Sequence, residues 1–289
     1  MITPITSPPS PHRTIAFTTP NNYATRLSTL IARHRNWTPF WCPTVIVEAT
    51  ASTHASLLRH LSSLNHFSAV AFTSRSGISA FSAALLDLPS PPLSPIGDLF
   101  FISALGNDAD AITAEFVGRI CRNPGRVEVR VPRVSTPSGI LELLGDGLGR
   151  RVMCPVPVVL GLEEPRVVPE FLRELGRMGW EAVRVGAYET RWAGPKCAER
   201  LVNGGVVVHA LVFTSTAEVE GLLKGLREIG LGWDGLRRMW PGLVVAAHGP
   251  VTAFGAERLG VKVDVVSSKF GSFDGVVDVL AHTWENSGS

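Results

Sequence analysis

Val70-Ala71-Phe72-Thr73-Ser74 and Leu211-Val212-Phe213-Thr214-Ser215 are one phrase written twice: three apolar residues closing on two hydroxyls. A short apolar run bounded by Ser and Thr reads as a buried strand, and the hydroxyls suit the start of a helix, here from Ser76 and from Thr216. Each copy is followed by a second strand that closes on glycine, 34 residues on from Phe72 to Gly106 and 36 residues on from Phe213 to Gly249. Those strands are Phe101-Ile102-Ser103-Ala104-Leu105-Gly106 and Val244-Val245-Ala246-Ala247-His248-Gly249. Self-similarity at this scale predicts two α/β domains built alike. It also gathers hydroxyls and helix N-termini at the carboxyl ends of strands, where open α/β sheets bind ligands.

Outward from the repeat, strands and helices alternate. Thr14 to Thr18 reads as a strand, Asn21 or Asn22 caps a helix to about His34, and Thr38 to Pro43 is a second strand. Thr44 to Glu48 continues extended. The middle of the chain predicts a helix over 54–61, strand 99–105, helix 108–121, strand 126–131, helix 136–144 and strand 151–154. Val168, Phe171, Leu172, Leu175 and Met178 form a helical stripe, and a strand runs from Glu181 to Tyr188. The last part predicts strand 210–213, a helix carrying Val219, Leu222, Leu223, Leu226 and Ile229, strand 243–248, helix 250–259, strand 261–266 and helix 273–283. Such alternation means parallel sheets. The C-terminal part supplies only three strands, and the N-terminal strand–helix–strand unit completes a five-stranded sheet if it packs there. The expected organisation is therefore discontinuous: 14–43 with 193–284 as one domain, 49–186 inserted as the other, 44–48 and 187–192 as the links, and 1–13 as a frayed N-terminus.

Composition narrows the function. The chain has 289 residues, enough for two domains, with 45% apolar and 18% charged residues, as in ordinary globular proteins. No apolar run is long enough to span a bilayer, and no membrane partner is expected. A net charge of +2 without a basic stripe argues against nucleic acid. The first dozen residues lack the apolar segment of a secretory signal. Cys42, Cys121, Cys154 and Cys197 form no C-x-x-C pair and read as buried free thiols in a reducing compartment. The eight histidines show no metal-ligand spacing, so no metal site is expected. Gly145-Asp146-Gly147-Leu148-Gly149 follows a predicted helix, which makes it a turn and not a nucleotide fingerprint.

Five stretches together resemble the uroporphyrinogen-III synthase family. They are Phe72-Thr73-Ser74-Arg75-Ser76-Gly77, Val185-Gly186-Ala187-Tyr188-Glu189-Thr190, Phe213-Thr214-Ser215, Val245-Ala246-Ala247-His248-Gly249-Pro250-Val251-Thr252-Ala253 and Phe270-Gly271-Ser272-Phe273-Asp274-Gly275. The resemblance covers about Thr14 to Thr283. It implies two flavodoxin-like parallel-sheet domains joined by a two-stranded link, with the active site in the cleft between them. It implies a cofactor-independent, monomeric, cytoplasmic lyase, with an organelle stroma or matrix as the other setting. The reaction would cyclise and dehydrate the linear tetrapyrrole hydroxymethylbilane, invert its last ring and release uroporphyrinogen III. The upstream hydroxymethylbilane synthase is the protein partner such a role implies.

A polycarboxylate that loses a hydroxyl needs anion binding and acid assistance. Helix N-termini supply the first through N–H groups and the dipole. By the resemblance, Thr73, Ser74, Ser76, Gly106, Asn107, Ser215, Thr216, Gly249, Pro250 and Thr252 bind substrate, and Tyr188 hydrogen-bonds or protonates the departing hydroxyl, leaving an azafulvene cation. Read alone, the same hydroxyls are helix caps. The chain departs from the family at Asn107-Asp108-Ala109-Asp110, where acids stand at a predicted helix start, and at the apolar, stiff Pro155-Val156-Pro157-Val158-Val159. His248 stands where an aliphatic residue is usual and reads as a buried, hydrogen-bonded histidine. Those departures motivate a non-catalytic tetrapyrrole-binding or regulatory relative of the family as the alternative. A periplasmic-type two-domain binding module is the more distant one.

Overall fold

The computed structural model describes residues 12–269 and 272–286. The expected frayed segment therefore lies outside the described residues up to residue 11, as do Phe270 and Gly271 of the last family stretch. In chain order the strands are β1 (Arg13–Phe17), β2 (Trp37–Trp41), β3 (Val45–Glu48), β4 (Ala69–Phe72), β5 (Phe100–Ala104), β6 (Val127–Arg130), β7 (Arg151–Leu160), β8 (Glu181–Trp192), β9 (Ala210–Phe213), β10 (Val244–Ala247) and β11 (Val265–Val266). The helices are α1 (Asn21–Ala32), α2 (Ala51–Leu61), α3 (Arg75–Leu86), α4 (Ala114–Ile120), α5 (Pro137–Leu144), α6 (Val167–Arg177), α7 (Lys196–Asn203), α8 (Thr216–Glu228), α9 (Trp233–Met239), α10 (Pro250–Arg258) and α11 (Asp274–Asn286).

The chain forms two compact units, one running through Ile46 and resuming at Trp192, the other Val47–Arg191. The discontinuous unit carries a five-stranded sheet in the order β11-β10-β9-β1-β2, with every pair parallel. The N-terminal strand sits inside this sheet: Phe17 is in register with Val212 and with Trp41. The inserted unit carries a six-stranded sheet in the order β3-β8-β7-β4-β5-β6.

The repeated phrase lies at the centre of each sheet, and both faces of it are covered. In β4, Val70 and Phe72 pack with Leu57, Phe81, Ile102 and Phe116 on the α2–α3–α4 side. Ala69 and Ala71 face the other way, onto Ile140, Leu144, Phe171 and Leu175. In β9, Leu211 and Phe213 meet Leu222, Leu226 and Val245, while Ala210 and Val212 meet Ile15, Phe17, Leu27 and Val276. A strand buried on both sides has no polar face, which is why these runs are continuously apolar and do not alternate.

Four local expectations are corrected. The helix predicted over 108–121 is a 3-10 turn over Gly106–Ala111 followed by α4, which starts six residues later than expected. Thr113 is the reason, since its hydroxyl accepts the Phe116 N–H at 3.2 Å and caps the helix there. The strand expected to end at Cys154 continues to Leu160 along β8, with an irregularity between Val156 and Pro157. β4 pairs only with Val152 and Met153, so beyond them β7 has an open edge where Pro155 and Pro157 cost no hydrogen bond. The strand predicted over 261–266 shrinks to two residues, because the Asp264 carboxylate takes the Val245 N–H at 2.8 Å and only then does pairing with β10 begin. Finally, α7 and α9 have no counterpart in the sequence reading; at eight and seven residues they span about two turns each, too few to show a period.

Gly221 in α8 is fixed by contact. A Cβ there would stand 2.7 Å from the Thr44 carbonyl oxygen. Gly→Ala inside a helix ordinarily gains about 0.5–1 kcal/mol, whereas forcing backbone apart typically costs about 1–3 kcal/mol. The clash wins, and Gly221→Ala is expected to destabilise the protein in urea denaturation. A variant as stable as the parent would contradict the close approach.

Candidate functional site

In the inserted unit, β4 ends at Phe72 and the chain turns through Thr73 and Ser74 into α3. Ser74 caps α3, its Oγ accepting the Gly77 N–H at 3.2 Å. The same Oγ lies 2.8 Å from the Tyr188 hydroxyl, 114 residues away on β8. Tyr188 itself is 7% exposed and packs into the core with Phe72 and Val185. Gly77 lies close to β7: a Cβ there would come within 3.1 Å of the Pro155 carbonyl oxygen, a tight contact. Thr73 and Ser76 are half-buried beside these residues.

The neighbouring strand β5 ends in the Gly106–Asn107 turn. Gly106 adopts φ +43°, and a Cβ there would strike the Ser135 hydroxyl at 2.4 Å. The Arg75 guanidinium donates to the Asn107 carbonyl at 3.4 Å, which ties this turn to the start of α3. Burial pushes the Asp108 carboxyl above its ordinary range, opposed by the Arg75 charge and backbone N–H. Asp108 lies in the first turn of the short 3-10 segment and does not start α4.

In the discontinuous unit, Ser215 caps α8, its Oγ accepting the Glu218 N–H at 3.4 Å. Thr252 on α10 is buried, and its hydroxyl donates to the Thr214 carbonyl at 3.1 Å. Thr216 faces α10 as well: a Cβ on Gly255 would overlap its Oγ1. Gly249 is extended backbone ahead of Pro250 at the first position of α10, a helix start with no side-chain cap. The structure therefore brings Ser215, Thr216, Gly249, Pro250 and Thr252 together at the ends of β9 and β10. The side-chain hydroxyls of Ser215 and Thr252 are engaged inside the fold. His248 lies between, edge-on to Phe273 at 5.0 Å.

Sequence reasoning missed Glu218 and Thr18. Glu218 is 1% exposed, and its carboxylate accepts from Thr18 Oγ1 at 2.8 Å, Thr214 N at 3.0 Å, Ser215 Oγ at 3.2 Å and Thr214 Oγ1. Burial pushes this carboxyl up, against hydrogen bonds from Thr214, Thr18 and Ser215 that favour the ion. Ser215-Thr216-Ala217-Glu218 is a capping-box spacing, so a helix start was legible there. That the acid would turn inward to collect four donors was not. Two further hydroxyls at strand ends, Thr19 Oγ1 and Ser103 Oγ, are buried without a partner among the described residues.

What these groups can do chemically is bind and orient. Both edges offer helix starts and hydroxyls to an anion, and the inserted unit adds a phenol. Among the described residues no group of three or more His, Cys, Asp or Glu could hold a metal ion. No helix among them is long and apolar enough to cross a membrane. All four cysteines are free and buried.

Residues 25–276 match the family model described as uroporphyrinogen-III synthase HemD. A search of curated proteins gives no match. Among solved structures, the chain is similar to a mutant uroporphyrinogen III synthase from the extremely thermophilic bacterium Thermus thermophilus, at 18% identity and a TM-score of 0.59, covering 95% of this chain and 99% of the other. It is also similar to the uroporphyrinogen-III synthetase of Helicobacter pylori, at 13% identity and a TM-score of 0.51, covering 94% and 99%. At these identities the structural likeness establishes a shared two-domain α/β fold.

Proposed function

The chain belongs to the uroporphyrinogen-III synthase family, and from that premise we propose that it cyclises and dehydrates hydroxymethylbilane, with inversion of the terminal ring, to uroporphyrinogen III. The enzyme is then a cyclising hydro-lyase acting on a linear tetrapyrrole. The observation that carries the reading is the 2.8 Å contact between Ser74 and Tyr188, residues from two separate family stretches.

Its chemistry follows from the hydrogen bonds of Ser74. One lone pair of Ser74 Oγ is taken by the Gly77 N–H, and either hydroxyl of the Ser74–Tyr188 pair can donate to the other. With Ser74 as the donor, the Tyr188 O–H turns toward the departing hydroxyl of the substrate. A phenol of ordinary pKa, about 10, is protonated at neutral pH and suits general-acid assistance. Loss of water yields an azafulvene cation, which the terminal ring positions then capture. The protein's larger task is to hold one folded conformer, since the unassisted product is the uninverted isomer. Control of that kind is a matter of position more than of unusual side chains.

Side-chain carboxylates of the substrate fall to the helix starts at Ser74–Ser76, Ser215–Thr216 and Gly249–Pro250, with the Gly106–Asn107 turn adding backbone groups. The four buried free thiols are in keeping with a reducing, intracellular setting, and the reading takes the protein as a monomer. The test is incubation with freshly generated hydroxymethylbilane and separation of the product isomers. Isomer III is the expected product. Isomer I alone, at the rate seen without protein, would refute the enzymatic reading, and retained binding would then assign the chain to a non-catalytic relative.

A further inference from the structure

Among the described residues, Glu218 is the one deeply buried acid at the carboxyl edge of the five-stranded sheet, and the reaction as described leaves it without a role. Every group around its carboxylate donates. Thr18 Oγ1 and Thr214 N reach Oε2, while Ser215 Oγ and Thr214 Oγ1 reach Oε1. A buried carboxylate is tolerable with such a set, helped by its place in the first turn of α8.

The contacts come from separate parts of the unit. Thr18 lies just past β1, and Thr214 and Ser215 lie just past β9. The Thr214 carbonyl receives the Thr252 hydroxyl of α10 at 3.1 Å, and the Glu218 carbonyl receives the Thr44 hydroxyl at 2.9 Å. One side chain therefore sets the spacing of two strand ends and the start of α8, and through Thr214 it reaches α10. It also sets polarity. Three hydroxyl protons point inward to the carboxylate, so the turn presents oxygen lone pairs and backbone N–H groups outward.

We propose that Glu218 is a positioning residue for substrate binding: it clamps the Thr18, Thr214 and Ser215 hydroxyls so that the turn before α8 offers acceptors to pyrrole N–H groups and backbone donors to a carboxylate. This rests on the reading of the substrate as a linear tetrapyrrole. Glu218→Gln separates polarity from shape. Its amide oxygen replaces Oε2 opposite Thr18 and Thr214 N, and its NH2 faces the Thr214 and Ser215 hydroxyls. Those hydroxyls rotate to accept and turn their protons outward. Glu218→Ala removes the clamp altogether.

In Glu218→Gln, KM for hydroxymethylbilane is expected to rise about fivefold or more with kcat within about twofold. In Glu218→Ala, amide exchange over 214–219 is expected to accelerate about tenfold or more, while the β4 amides of the other unit keep their protection. A merely structural role would reduce the folded fraction and the apparent kcat without moving KM. An unchanged KM in the Gln variant, or unchanged exchange in the Ala variant, overturns the proposal. Should the Ala variant not fold, the KM of the Gln variant decides. Should the parent protein make no isomer III, the functional reading fails, and the exchange measurement, which needs no substrate, still decides whether the clamp exists.

Discussion

Tyr188→Phe is expected to lower formation of isomer III at least about tenfold, a loss of about 1.4 kcal/mol or more in transition-state stabilisation. The change is confined to one atom. The ring stays among Phe72, Val185 and their neighbours, so the packing of the inserted unit is retained. Ser74 loses the partner at 2.8 Å but keeps the Gly77 N–H, so α3 remains capped. A hydrogen bond of this kind is worth about 1 kcal/mol, too little to unfold the protein. Single-turnover assays with isomer separation, beside a thermal melt of the same preparation, keep activity and folding apart. Turnover within twofold of the parent would remove Tyr188 from the chemistry. Ser74→Ala is the companion: it deletes the phenol's partner at 2.8 Å and also a helix cap, so it should lose both activity and about 1 kcal/mol of stability.

Phe72→Ala should have the largest effect on stability of any change named here. Phe72 is fully buried at the end of β4, edge-on to Phe81 at 5.3 Å and to Phe116 at 6.4 Å. Deleting a buried phenyl ring costs about 3–5 kcal/mol, against a typical total of about 5–15 kcal/mol for a whole domain. The clusters that would open belong to the inserted unit. Hydrogen exchange in moderate urea should therefore show β4, β5 and β7 losing protection first, with β1, β9 and β10 retained. Equal loss across both sheets would refute this local account. Phe72→Leu keeps most of the volume and should cost less than half as much, which tests the cavity explanation itself.

The ease with which the architecture could be read follows from how it is buried. Both copies of the repeated phrase are central strands covered on two faces, and that burial writes itself into sequence as unbroken apolar runs ending in hydroxyls. The discontinuity was also legible, since three C-terminal strands need the two at the N-terminus to complete a sheet. Local stops were harder. Nothing in the spacing of Asn107–Asp110 says that Thr113, and not an aspartate, caps α4. Pro155 and Pro157 argue against a strand until β4 is seen to stop short of them.

The site divides in the same manner. Which residue types stand at the strand ends was settled by the chain itself: serines, threonines and glycines, in an order that matches a family; the one tyrosine, expected to end its strand, lies inside β8, which runs on to Trp192. Whether a given hydroxyl faces inward or outward depends on groups distant in sequence, and folding alone brings these together. Ser74 meets Tyr188 across 114 residues, and Thr18 meets Glu218 across 200. A one-dimensional pattern records burial and helix starts because those are properties of neighbours along the chain. It does not record who donates to whom across a sheet, because a hydrogen bond depends on the distance between two atoms, and the tertiary fold sets that distance.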